Sequence, residues 1–439
     1  MSALAIWVGD QQAAHLRHDG QEFELAYADT WQQHGGYAFS PHLPLGDITR
    51  GAAVKHFFSN LLPEGYALES MARAHQISKF DVFGMLRKAG RDCAGALVLI
   101  EPDEIPGDGL PQSSVTGNLY TPVSNDELHQ RIADSRAHGV PLMFWKGKRR
   151  ISLAGVQNKL GVYMNLDGSL MLPQDSAPTS HILKVGDVKH PGIVANEYFC
   201  MTLAQTLGLR VPDTTFRRLP EPVLLVQRYD RLWTADGGLI RTHQIDGCQA
   251  LNLPPEQKYE EPHYEHAPSG ATLADLMGLS SLCNTPAAAR IKLLQWVFFN
   301  YLVGNSDAHA KNLSLLIHPT SHELHPQKTS QGMEVAPFYD IVCGTVYAYK
   351  DFAQYIGQET TIDLVTSADW ATMAKSCSVQ LVLLRKVASQ MLSRLSQRLS
   401  KVTEMVTEQT NEPIIANIFH DITKRALFLQ DSLLNKSRP

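Results

Sequence analysis

The chain has 439 residues, enough for two or more domains with sizeable cores, and its 44% hydrophobic and 19% charged content is that of a folded globular protein rather than a disordered one. A formal net charge of −5 gives no global electrostatic reason to bind nucleic acid, so any such contact needs a local basic patch. The six cysteines stand singly without a C-x-x-C, no apolar run approaches a membrane span, and residues 1–7 lack the basic start of a signal peptide; a cytoplasmic protein with no disulfide framework, zinc site or membrane contact is expected.

In chain order, alternation in residues 3–8 and 23–27, broken by Asp19-Gly20, predicts a hairpin. Helical patterns follow at 52–61 and 81–88. Residues 101–117, rich in Pro, Gly, Ser and acid, form a loop or linker. Strands dominate from about 142 to 228. Within them, residues 150–159 (R-I-S-L-A-G-V-Q-N-K) set small side chains and a glycine between two strand-like runs. Backbone N–H groups in such a turn can approach an anion, although an ordinary hairpin turn has the same composition. No Walker motif occurs. Residues 180–185 (S-H-I-L-K-V) place Lys184 in an apolar strand, with Glu197 on the helix that follows. That is either a snorkelling edge lysine or the kinase-type ion pair that aligns nucleotide phosphates.

Thr285-Pro286 is an N-cap and first-turn pair for an apolar helix ending at Val303, in which Trp296, Phe299 and Leu302 form a core stripe. The polar loop after it (V-G-N-S-D-A-H-A-K-N-L) places Asp307 and Asn312 five residues apart, ahead of a second apolar run at 313–317 that reads as a strand. In a kinase catalytic loop an Asp accepts the proton of the attacking hydroxyl, and an Asn five positions on holds a metal ion against the phosphates. Downstream, Asp340 stands in the apolar stretch P-F-Y-D-I and is expected to be buried. A buried carboxylate needs a cation or donors, as the Asp-Phe-Gly aspartate of kinases has; a turn-capping Asp is the alternative. His318, His322 and His325 lie in a Pro-containing loop and read as solvated, with no H-E-x-x-H anywhere. From 369 onward the pattern is helical, interrupted near N-E-P at 411–413. There Arg385, Lys386, Arg394, Arg398 and Lys401 occur with no acid among them. They form either a solvated helix face or a phosphate-contacting surface.

Taken together, residues 57–65 (F-F-S-N-L-L-P-E-G), 90–96 (G-R-D-C-A-G-A), 151–159, 181–184, 196–198 (N-E-Y), 227–231 (Q-R-Y-D-R), 307–312 and 338–341 are similar, in order and over nearly the whole length, to the HipA family of serine/threonine kinase toxins. The resemblance implies an α+β, bilobed protein-kinase-like fold. A β-rich N-terminal subdomain would occupy 1–110, a mixed ATP-binding small lobe 140–235, and an all-α large lobe 236–439, with ATP in the cleft between the lobes. It implies Asp307 as catalytic base, Asn312 and Asp340 as Mg2+ ligands, and Lys184 as phosphate contact. Ala154, Gly155, Val156 and Gln157, the hinge residues Gln227, Arg228 and Tyr229, and His309, Lys311 and Tyr339 complete the implied ATP site. Gln227 stands where the family carries an acid, so only the backbone contact transfers there.

Ser152 is the implied autophosphorylation site, whose phosphate ejects the ATP-covering loop. The implied partners are a HipB-like helix-turn-helix antitoxin, operator DNA reached mainly through that antitoxin with the 385–401 basic face as a further contact, and glutamyl-tRNA synthetase as the protein substrate. A non-catalytic co-repressor and a small-molecule or lipid kinase are the competing functions. Retained Asp307, Asn312, Asp340 and Lys184 argue against the first, and the lack of a polybasic or amphipathic membrane segment argues against the second.

Overall fold

The computed structural model describes residues 2–105, 119–145, 148–149, 158–174, 176–235, 238–261, 270–318 and 332–434. The expected nucleotide loop, with Ser152, Ala154, Gly155, Val156 and Gln157, lies outside them, as do His322 and His325. The chain divides into two compact units. One holds Met1–Val185, Arg217–Ile245 and Leu316–Gly332; the other holds Gly186–Phe216, Asp246–Leu315 and Met333–Pro439.

Among the described residues the first unit contains two large sheets beside two-stranded ones. In one, Gln11–His18 is central, with Ser2–Val8 and then Leu97–Ile100 on one side and Phe23–Tyr27 and then Thr49–Arg50 on the other. Both predicted arms are strands, but they do not pair with each other as expected: Gln11–His18 lies between them, and the turn at Asp19-Gly20 joins Gln11–His18 to Phe23–Tyr27. Polar residues hide Gln11–His18 in the sequence, while Ala13, Ala14 and Leu16 supply its buried positions. Helices Ala52–Ser59 and Val82–Ala89 match the expected ones, and Gly65–His75 is a further helix.

The second sheet runs Pro222–Gln227, His181–Val185, Lys159–Met164, Leu170–Pro173, Tyr120–Val123. Leu183 and Val185 of its inner strand pack with Leu160, Val162, Val223 and Leu225, and with Leu128 and Ile132 of the helix Asn125–His138. That helix starts on a Ser124–Glu127 capping box and stops at Gly139, φ +66°.

The second unit is mainly helical. Leu381–Thr410 packs against Ile193–Thr206 and Pro286–Val303, and Ile414–Leu429 packs on all three. Along Leu381–Thr410 the buried residues Leu384, Val387, Ala388, Met391, Leu395, Leu399, Val402 and Val406 recur at three- and four-residue intervals, a single apolar stripe. Asn411 in the left-handed region ends it, where the break was expected. Residues 236–439 are not all helical, however. Ser314–His318 is the strand expected after the polar loop, and Gly332–Val335, Asp351–Ile356 and Glu359–Thr361 are further strands, too short for their alternation to register against the surrounding helical pattern. No described helix is long and apolar enough to cross a membrane. All six cysteines are buried free thiols.

Candidate active site

The helix Pro286–Val303 begins as its Thr285-Pro286 pair predicts, although the Thr285 side chain makes no cap bond, and Trp296, Phe299 and Leu302 are buried. It ends at Gly304, φ +69°, whose N–H donates to the carbonyls of Asn300 and Tyr301. A Cβ there would come within 2.6 Å of Thr345 Oγ1 and 2.7 Å of the Arg425 guanidinium, so glycine is required by space as well as by φ. Asn305, buried, then donates from Nδ2 to Asn300 Oδ1 (2.8 Å) and accepts the Asp307 N–H on Oδ1 (3.1 Å). This pair of amides fixes the point at which the chain leaves the helix.

Within the loop, the His309 N–H donates to the Asp307 carbonyl (2.8 Å), and Asn312 Nδ2 donates to the same oxygen (2.8 Å). Asn312 thus braces the turn with its amide nitrogen. Its Oδ1, the hard oxygen that a magnesium ion prefers, accepts from none of the described residues. The Asp307 side chain is 53% exposed, and its Oδ1 accepts the Tyr259 hydroxyl (2.7 Å) with His309 Nε2 at 3.9 Å.

The loop is held from behind by Lys311, buried, whose Nζ lies 3.1 Å from Asp246 Oδ2. Asp246 also N-caps Gly247–Leu251, and the Gly247 N–H donates to the Leu313 carbonyl (2.8 Å). Lys311, expected at the nucleotide, therefore has its ammonium in an internal ion pair.

The second acidic segment is attached to the first. Tyr339 Oη donates to the Lys311 carbonyl (2.7 Å) and lies 2.7 Å from Ser314 Oγ. Asp340 follows at φ +59° in the left-handed region. Contrary to expectation Asp340 is half-buried, not buried: Phe338 and Ile341 take the interior positions on either side of the backbone reversal at 340. Further on, the buried Asn196 grips the backbone of Cys343 twice, donating from Nδ2 to its carbonyl (3.0 Å) and accepting its N–H on Oδ1 (2.8 Å). The Gly344 N–H donates to the Gly304 carbonyl (2.9 Å), which joins this segment to the start of the 305–312 loop.

Arg425, on Ile414–Leu429 and 2% exposed, closes the arrangement. It donates from Nε to the Leu302 carbonyl (2.9 Å) and from Nη1 to Thr345 Oγ1 (3.1 Å), with Asp363 and Asp421 at 3.7 and 3.6 Å.

In the first unit, Lys184 is buried on His181–Val185, the inner strand between Pro222–Gln227 and Lys159–Met164, rather than at a sheet edge. Gln227 ends its strand opposite His181, and the Arg228 N–H donates to the Ser180 carbonyl (2.9 Å). The Arg228 guanidinium belongs to a buried network: it holds both Asp230 oxygens (2.9 and 2.7 Å), Thr179 Oγ1 (2.9 Å) and the Cys93 carbonyl (2.9 Å). Arg231 and Arg241 share Asp92 with it. Burial alone would push the Asp92 carboxyl up; the guanidiniums of Arg228, Arg231 and Arg241 outweigh it and hold it below the usual range. Motifs 90–96 and 227–231 are thus two halves of one ion cluster. Tyr229, half-buried, donates its hydroxyl to Gln244 Oε1.

The basic residues Arg385, Lys386, Arg394, Arg398 and Lys401 lie exposed on Leu381–Thr410. Arg394 donates to the Leu207 carbonyl (2.9 Å) at the end of Ile193–Thr206, and Arg385 donates to the Leu433 carbonyl (3.1 Å).

Tyr259, Asp246, Asn300, Asn305 and Arg425 were not found by sequence reasoning. Only Arg425 left a signal. The buried positions of its helix are Ile415, Ile418, Ile422, Arg425 and Leu429, so one charge falls on an apolar stripe.

The HipA-like C-terminal domain model matches residues 151–403, and the HipA N-terminal domain model matches residues 4–100. The chain belongs to the HipA family. It is 30% identical over 403 residues to the serine/threonine-protein kinase toxin HipA of Shewanella oneidensis, covering 90% of this chain and 87% of that one. It is 34% identical over 403 residues to the putative kinase Y4mE of Sinorhizobium fredii, covering 90% of each. Among solved structures, a chain of the Shewanella oneidensis HipA, HipB and operator DNA complex superposes with a TM-score of 0.81 at 28% identity, over 98% of this chain and 97% of that one. Asp307, Asn312 and Asp340 fall inside the HipA-like C-terminal match, and Arg425 falls beyond it.

Proposed function

We propose that this HipA-family chain is a toxin: a serine/threonine protein kinase with a bilobed, kinase-like arrangement that transfers the γ-phosphoryl group of ATP to a protein serine. The observation that carries the reading is the 305–312 loop. It presents one carboxylate, Asp307, with one oxygen tethered and the other without a partner among the described residues, on a turn braced by Asn312. In the reaction the acceptor hydroxyl passes its proton to that second oxygen as its own oxygen bonds to the γ-phosphorus. The bond from the γ-phosphorus to its bridging oxygen breaks, and ADP leaves.

Among the described residues no three His, Cys, Asp or Glu side chains form a metal cage. Magnesium in a nucleotide site needs only one or two protein oxygens, the phosphates and water supplying the rest, and the Asn312 Oδ1 and the half-buried Asp340 carboxylate fit that role. Bound there, the ion would neutralise charge developing on the phosphates. Lys184, the 154–157 backbone, the 227–229 hinge, His309, Lys311 and Tyr339 are the proposed ATP contacts, with Lys311 acting on the loop from its pair with Asp246.

The family reading extends to glutamyl-tRNA synthetase as substrate, to autophosphorylation at Ser152, to restraint by a HipB-like antitoxin in the cytoplasm, and to co-repression of its operon on DNA. Of the basic face, Lys386, Arg398 and Lys401 are the residues best placed to add a DNA contact, since Arg385 and Arg394 already bond within their own unit.

Asp307→Asn tests the central claim. Transfer of γ-labelled phosphate should fall by several orders of magnitude while the circular dichroism is unchanged. An Asp307→Asn protein that transfers label at the wild-type rate removes Asp307 from the chemistry.

A further inference from the structure

We infer that Tyr259 is a positioning residue for Asp307, holding its carboxylate at the angle from which the second oxygen takes the proton; this rests on the phosphotransferase reading above. Asp307 is half exposed on a loop, and a solvated carboxylate turns about its side-chain bonds unless something holds it. The Tyr259 hydroxyl supplies that hold at 2.7 Å. A phenol keeps its proton at neutral pH, so Tyr259 donates to the ionised carboxylate rather than competing with it as a base.

Tyr259 is itself fixed by the backbone on either side. The carbonyl of Lys258 accepts two bonds, one from the Ala310 N–H inside the catalytic loop (3.1 Å) and one from the Nε2 of buried Gln354 (2.8 Å). On the other side the Glu260 N–H donates to the Ala353 carbonyl (2.8 Å), and Glu260 Oε2 accepts the Tyr355 N–H (2.8 Å). Residues 258–260 are thereby pinned to the catalytic loop and to the strand Asp351–Ile356 together. The ring is flanked by His309, edge-on at 5.1 Å between centroids, and by Lys258 Nζ at 5.1 Å from the Tyr259 centroid. The backbone that carries the phenol is thus held on both sides, and on a ring 38% exposed the hydroxyl meets an oxygen of the proposed base.

The contact costs little to delete, because Tyr259→Phe keeps the ring and its packing. With γ-labelled ATP and magnesium, and with transfer to protein and to water counted together, Tyr259→Phe should lower kcat by about ten- to hundred-fold, the loss expected for a small misplacement of a reacting group. The KM for ATP and the melting temperature should stay as in the wild type. The decisive measurement is the cycle with Asp307→Asn: if Tyr259 acts through Asp307, the double variant is no slower than Asp307→Asn alone. Tyr259→Phe with a wild-type kcat, or with the same fractional loss in both backgrounds, overturns the inference and leaves the phosphotransferase reading standing. A wild-type chain that moves no phosphate from ATP overturns that reading, and this inference with it.

Discussion

At the scale of single residues, Asp340 combines a proposed magnesium-binding role with a backbone cost. Left-handed φ is unfavourable for side-chain-bearing residues, by roughly 1 kcal/mol or more, and aspartate tolerates it better than most. Both Asp340→Ala and Asp340→Gly remove the carboxylate and should lose magnesium-dependent transfer alike. Their stabilities should differ in the reverse of the helix order, glycine above alanine by about 1 kcal/mol, because only glycine accepts φ +59° freely. Equal melting temperatures would show that the 340 backbone relaxes on substitution. Asp307 and Asn312 were legible in the sequence because their geometry is local, five positions inside one loop. Tyr259 reaches Asp307 across 48 residues of chain, and no periodicity encodes that meeting.

At the scale of elements, the helices were the most readable part, since an apolar stripe such as that of Leu381–Thr410 repeats often enough to stand out. Short strands were not: Asp351–Ile356 and Glu359–Thr361 offer too few alternations. What the helices do for the loop was legible only as an anomaly, the arginine on the stripe of Ile414–Leu429. Arg425→Met keeps the length and removes the charge. It leaves the Leu302 carbonyl without that donor and Asp421 without its cation, while Asp363 keeps Lys424 at 3.2 Å; the loss should cost about 3 kcal/mol, the low end for a broken buried pair because both carboxylates keep some water. Denaturant unfolding gives that number, and phosphoryl transfer by the folded fraction should fall as well, because Gly304 abuts the same guanidinium. Full activity in folded Arg425→Met would confine Arg425 to stability.

At the scale of the whole molecule, two compact units assembled from interleaved segments lie beyond what composition shifts can reveal, because such shifts mark only boundaries between consecutive spans. The units should also respond differently to acid. His243, buried among Tyr37, Phe39 and Phe57, has its pKa lowered to about 4 by burial, with a bond to the Phe39 carbonyl and the charge of Asp230 opposing the shift. Its folded pKa lies below its unfolded one, so between about pH 6.5 and 4 the unfolded chain binds the extra proton and stability rises with pH. Taking the first unit from neutral pH to pH 4 should therefore cost roughly 3 kcal/mol through this one imidazole. His243→Gln, which keeps a donor and cannot titrate, should flatten the dependence of unfolding free energy on pH in that window. An unchanged slope would assign the acid sensitivity to other groups.

The Arg425 contact also bears on when the protein can act during its own synthesis. The guanidinium that bonds the Leu302 carbonyl is encoded 123 residues after it. At the usual speed of translation, the loop bearing Asp307 is made on the order of ten seconds before the residue that closes the helix end beside it. A chain that has emerged only past the loop would carry Asp307 and Asn312, the proposed base and magnesium ligand, and still lack the side chain that closes the helix end beside them.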